Sequence, residues 1–340
     1  MYKSAGKQNL KLEGIQILRM LSCLWIVLIH CCRIRNNILK ILLQKKPFHV
    51  PTFLIMSFYF FYDKLYLRSI KKIKIRFERL LIPYIIIPII ILILNNFFFA
   101  INGNSIYGRK LTFFDLIKQL IFGAKFHVIF WFQFYVLFLS NFFLIIALIF
   151  KNNFLFILQL ILIICYALQY SAIVFYYFMT FKEREHQLMG VIVETMPIAV
   201  TGLTLASYNS INEIKEKKKI IFVSIIIVFF IIKYDIFKSI RGILYPGIDL
   251  NVGAICFFIC FSFITFKKQP RVLFIINHIT NYTGGIYYYH YLVLYTLEKK
   301  ISFIGNRYMF GGFIIYIICH FICFIGIRIF GKTKLKYLFY

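Results

Sequence analysis

Long apolar runs separated by short polar and mostly basic connections set the pattern of this chain. The first run, GIQILRMLSCLWIVLIHCC over 14–32, is long enough to cross a bilayer. Further runs predict helices at about 50–66, 80–99, 128–150, 154–172, 188–207, 220–235, 249–266, 283–298 and 309–330. The fold class expected is an all-α membrane protein, a polytopic bundle of about ten transmembrane helices. The bundle fills 12–332 of a single domain spanning 1–340, with both terminal tails cytoplasmic. Between the third and fourth runs, LTFFDLIKQLIFG has an amphipathic pattern and is expected to lie at the outer interface.

Composition supports the membrane reading. The chain is 61% hydrophobic, carries 42 Phe and 24 Tyr, and has a mean hydropathy of +0.80, well above a soluble domain. At 340 residues there is no room for a soluble catalytic domain beside a full set of helices. The net charge of +28 raises nucleic acid as a partner. The basic residues fall between apolar runs, however, where they read as topology signals and contacts to anionic lipids. The densest cluster, Lys64, Arg68, Lys71, Lys72, Lys74, Arg76 and Arg79, is read as a cytoplasmic loop entering the third helix. No cleavable signal peptide is expected, because the N-terminal tail is basic and polar and the first run is too long for an h-region.

Eight cysteines are scattered along the chain, most of them inside apolar runs. No pair of Cys-x-x-Cys motifs sets up a metal site, and no disulfide framework is visible. Cys256/Cys260 and Cys319/Cys323 are i,i+4 pairs and read as small packing residues. No metal is expected.

Candidate chemistry sits in the first run. Arg19 and His30 are eleven residues apart, about three turns, so both side chains share one helix face, roughly 16.5 Å apart along the axis. A cation inside a membrane segment is costly and usually faces a polar pathway or a site. The bland alternative is that Arg19 snorkels to the interface and His30 bonds a neighbouring helix. Glu194, near the sixth run, is a candidate second acid/base or an interface residue.

GIQILRMLSCLWIVLIH resembles the first transmembrane helix of the acyltransferase-3 family, integral-membrane O-acyltransferases of bacterial cell-surface glycans. An Arg, ten residues and a His mark the active site there, matching Arg19 and His30. Many members carry an acid three positions before the Arg, where this chain has Gln16. Further similarities follow in order. Pro51, Phe53 and Ser57-Phe58 resemble the second helix, with Phe58 replacing a family Gly. Arg79 and Pro83 resemble the third-helix entry, and Trp131-Phe132 a motif often preceded by a His, as by His127 here. Gly285, Ile286, Tyr287 and His290 resemble a late helix.

The resemblance implies an O-acetyltransferase in the bacterial cytoplasmic membrane. It would move an acyl group, acetyl by expectation, from acyl-CoA to a hydroxyl of a cell-surface polysaccharide or its lipid-linked precursor. His30 would act as general base or acyl relay. Arg19 would anchor the cofactor, with Lys71, Lys72, Arg76 and Arg79 drawing the polyanionic acetyl-CoA. A glycan transporter or flippase, with cations along a cavity, is one alternative. A polysaccharide polymerase is another, but it would carry catalytic groups in large outer loops, and the loops here are short.

Overall fold

A computed structural model describes residues 13–31, 50–102, 107, 109–123, 130–170, 195–207, 227, 248–264, 270–298 and 309–340. Within them the secondary structure is helical and contains no strand. The helices are α1 (Glu13–Cys31), α2 (Val50–Tyr66), α3 (Ile70–Asn102), α4 (Phe113–Phe122), α5 (Phe130–Ile149) and α6 (Phe154–Tyr170). They continue as α7 (Met196–Ser207), α8 (Ile248–Ser262), α9 (Pro270–Thr280), α10 (Thr283–Glu298) and α11 (Met309–Phe330). A 3-10 segment, Lys334–Leu338, follows α11.

Among the described residues, four helices are long and apolar enough to cross a membrane, over Glu13–His30, Ile70–Ile101, Phe132–Ile149 and Phe310–Phe330. Other segments expected as spans are shorter: α2 and α6 have 17 residues, α7 12, α8 15 and α10 16. Of the expected span at 220–235 only Ile227 is described, and the polar connection expected at 176–187, after the fifth run, lies outside the described residues. α11 shows why such helices suit lipid. Ile315, Cys319 and Cys323 are fully buried on one side, while Ile317, Phe321 and Ile325 stand exposed on the other. A helix apolar all round needs an apolar solvent on its outer face.

The expected loop over 64–79 is corrected by the structure. The chain turns only between α2 and α3, where Ser69 N–H reaches Lys64 O and Arg68 N–H reaches Leu65 O. Arg68, at φ 46°, takes the left-handed position of this helix end. From Ile70 onward the cluster is helical, so Lys71, Lys72, Lys74, Arg76 and Arg79 form the basic first turns of a 33-residue helix. Charge density reads as a loop in sequence, yet Lys and Arg are good helix formers, and an apolar run beyond them carries the helix on. The stretch between the expected helices at 249–266 and 283–298 likewise carries a helix, α9, opened by Pro270 in keeping with its fixed φ at a first helical position.

α2 is the hub of the main core. Leu54, Ile55, Phe58, Phe61 and Leu65 meet Val136 and Phe143 of α5, Leu158 of α6, Val200 and Leu203 of α7, Phe258 of α8, and Leu18 of α1. Between helices already in lipid this packing gains van der Waals contact rather than release from water, since lipid tails are as apolar as Leu. Phe58, standing where the family has a glycine, is fully buried against Phe143, with ring centroids 5.7 Å apart. Close backbone approach to α2 is made instead from α7. A Cβ on Gly202 would lie 2.6 Å from Ile55 O.

A second cluster joins α3 to α4, α5 and α10. Buried Asn95 and its neighbour Asn96 tie the chain after α3 back onto it, through Arg109 O, Tyr107 N–H and both backbone groups of Leu111. Thr112 and Asp115 then form a reciprocal cap on α4, and Gly123 ends it at φ 75°. α4 leaves Phe113, Phe114 and Ile121 exposed, the apolar face expected of an interfacial helix. A third cluster packs α1, α10 and α11 around Cys23, Val27, Ile286, Ile315, Cys319 and Cys323. These cysteines are in no disulfide among the described residues and pack as small apolar residues.

Candidate active site

One unbroken helix, α1, carries both Arg19 and His30, so the spacing read from sequence is a spacing on one face. α10 runs beside it in the same direction. Cys23 Sγ lies 3.5 Å from Thr283 O, and seven residues further along each helix the imidazoles of His30 and His290 face each other at 5.3 Å. Two elements far apart in sequence thus set one polar group against another in matching register.

The His30 end is an aromatic cluster. Tyr291 stands edge-on to His30 at 5.7 Å, and Tyr287 lies 6.1 Å from His290. His30 is exposed, whereas His290 is fully buried. His290 Nδ1 lies 3.2 Å from Ile286 O. A carbonyl oxygen only accepts, so Nδ1 carries the proton and neutral His290 keeps its lone pair on Nε2. That fixes which nitrogen accepts a proton.

The Arg19 end is a cavity of about 410 Å³ between α1, α2, α3, α5, α10 and the segment after α11. Arg19, Lys64, Arg76 and Arg79 all line it, and among the described residues no Asp or Glu side chain does. Gln16, standing where many family members have an acid, also lines it, so this position adds no negative side chain to the wall. Phe53, Phe132, Tyr287 and Tyr288 supply apolar and aromatic surface. A concave site with a few convergent cations and aromatic walls suits an organic polyanion.

Arg76 is the most constrained of the four. Its guanidinium donates to Ser57 O at 3.1 Å, to Ser57 Oγ at 2.9 Å and to Ser140 Oγ at 3.3 Å. It also sits 4.2 Å from the centroid of the Phe61 ring. Ser57, singled out by resemblance, therefore holds an arginine in the cavity wall. Gln133 was not expected from the sequence. It donates through Nε2 to Leu80 O, and its buried Oε1 accepts no bond among the described residues. A glutamine inside an apolar run was the available signal.

Tyr287 joins the two ends. It lines the cavity, packs on Phe132 at 5.6 Å and touches His290 one turn later on α10. The remaining candidates lie elsewhere. Lys71 and Lys72 are exposed on the first turn of α3, outside the cavity lining. Trp131 belongs to α5, with its side chain outside the described set, and His127 and Glu194 lie outside the described residues. Among the described residues no group of three or more His, Cys, Asp or Glu could hold a metal ion.

Compared with curated proteins and with solved structures, the chain matches none. The family model described as an acyltransferase domain matches residues 12–329, nearly the whole chain, and takes in the site built above except for the segment after α11. With the Arg and His of its first helix joined through one aromatic wall, this chain belongs to the acyltransferase-3 family and is a membrane acyltransferase.

Proposed function

We propose that this acyltransferase moves an acetyl group from acetyl-CoA to a hydroxyl of a cell-surface polysaccharide or its lipid-linked precursor, in the bacterial cytoplasmic membrane. One observation carries the reading. Among the described residues, a cavity with four cationic side chains and no carboxylate side chain is joined by Tyr287 to a pair of histidines. The cations match the phosphates of coenzyme A, and the histidines match the proton transfers of acyl transfer.

In this reading the donor lies with its phosphates toward Arg19, Arg76 and Arg79 and its pantetheine arm along α1 and α10. An imidazole takes the proton of the acceptor hydroxyl as its oxygen attacks the thioester carbonyl. The carbon–sulfur bond breaks, the coenzyme A thiolate leaves, and the proton passes to that sulfur. Alternatively His30 itself accepts the acyl group and passes it on, which also balances. The buried partner His290, with Nδ1 bonded to Ile286 O, keeps its lone pair on Nε2 and stands as a second imidazole beside the exposed His30. The basic first turns of α3 mark the cytoplasmic side. The glycan arrives from the opposite side.

The experiment is transfer from labelled acetyl-CoA in membranes that contain the protein. Consumption coupled to acceptor labelling supports the reading. Consumption equal to that of membranes without the protein refutes it. Sidedness is tested separately, with single cysteines in an otherwise cysteine-free variant. An impermeant thiol reagent added to intact cells should label 176–187 and spare 67–79. The reverse pattern would remove this donor route.

A further inference from the structure

The stretch after α11 follows the last residue matched by the family model, yet it forms part of the cavity wall. Tyr337 and Tyr340 both line the cavity. The stretch is built in, and two features hold it. Lys334 Nζ meets Glu78 of α3 at 2.7 Å. α10 leaves room for its backbone by lacking side chains, since a Cβ on Gly284 would lie 2.0 Å from Tyr340 O and one on Gly285 2.8 Å from Phe339 O.

Tyr337 is buried, and the Arg79 guanidinium lies over its ring at 5.6 Å from the centroid. Arg79 is itself exposed and lines the cavity. Among the described residues no Asp or Glu pairs with it. An exposed arginine without a carboxylate samples many rotamers, and a ring face restricts them without neutralising the charge.

We propose that Tyr337 is a positioning residue for the acyl donor: its ring holds Arg79 against the cavity, ready for a donor phosphate. The inference rests on the reading that the cavity takes a coenzyme A thioester. Tyr337 acts only through Arg79 and touches no reacting atom.

The test is binding of coenzyme A to the purified full-length protein by titration calorimetry, in wild type, Tyr337→Leu, Tyr337→Phe, Arg79→Ala and the Arg79→Ala/Tyr337→Leu double variant. Tyr337→Leu should weaken binding by about five- to tenfold, the span of a partly exposed cation–π contact and the ordering it supplies. Tyr337→Phe keeps the ring and should stay within about twofold of wild type. The double variant should bind no more weakly than Arg79→Ala alone, because a residue that acts through another adds nothing once that other is gone. Additive losses, or wild-type affinity in Tyr337→Leu, would overturn the proposal. A wild-type protein that binds no coenzyme A would instead remove the donor reading, and this inference with it.

Discussion

His30 of α1 and His290 of α10, 260 positions apart in the chain, place their imidazole rings 5.3 Å apart at a 34° tilt. The two rings belong to helices that run side by side, and both lie beyond the cationic cavity along those helices. If His30 is the base or relay, His30→Ala should cost about 10²–10⁴-fold in transfer rate with expression intact. His290→Ala should cost less, and His290→Gln less still. The double His30→Ala/His290→Ala variant should be no slower than His30→Ala, since groups acting as one unit are non-additive. Rates of transfer to the acceptor in matched membranes check this.

Arg19 should need its planar fork and not only its charge. Arg19→Lys is expected to be impaired alongside Arg19→Ala, because an ammonium cannot hold two phosphate oxygens side by side. The readout is KM for acetyl-CoA, which should rise in both. Full activity with Lys would make Arg19 a point charge or a topology signal.

Arg76 bonds two serines on two helices, so its removal should show in stability as well as activity. Arg76→Lys loses the fork that spans Ser57 and Ser140, and bonds to a charged donor are worth about 1.5–3 kcal/mol each. Ser57→Ala should cost less, since its backbone carbonyl still accepts from Arg76. Thermal unfolding in detergent, followed for wild type and both variants, ranks the three.

Much of the site was legible in the sequence, and its misreadings have physical causes. Arg19 and His30 were found because a helix repeats by sterics alone, so eleven residues fix a shared face. Ser57, Arg79, Tyr287 and His290 came from motif order, and Arg76 from the basic cluster. Their roles, such as Ser57 holding Arg76, depend on which helices pack together, and spacing carries none of that. The 64–79 cluster was misread because charge density marks a loop only where the backbone breaks, and here the break is three residues, 67–69. The tail wall at Tyr337 and Tyr340 carried no motif.

α4 supplies an acid-sensitive element outside the spans. Arg109 donates two bonds to Asp115, at 3.1 and 2.9 Å, and Thr112 N–H donates a third at 2.8 Å. The Arg109 contact first, and the Thr112 backbone second, hold the Asp115 carboxyl well below its usual range. A carboxyl lowered on folding contributes stability above its unfolded pKa, about 3.9, and that contribution fades as pH falls toward the folded value. Hydrogen exchange over 111–123 should therefore quicken only in strong acid. Asp115→Asn should exchange faster at neutral pH and lose the acid step.

Gly285 tests the seat of the tail. A Cβ there would lie 2.5 Å from Cys323 Sγ and 2.8 Å from Phe339 O. Gly285→Ala should cost about 1–3 kcal/mol by overpacking and lower the unfolding temperature. It should also weaken coenzyme A binding, because Tyr337 and Tyr340 shift with the displaced backbone.

The most direct measurement is turnover of labelled acetyl-CoA by purified protein in lipid vesicles, wild type beside His30→Ala, with an isolated cell-surface glycan as acceptor. The account predicts label in the glycan with wild type and a loss of about 10²–10⁴-fold with His30→Ala, while coenzyme A binding through the Arg19 cavity persists in both. Equal labelling by the two proteins would contradict it.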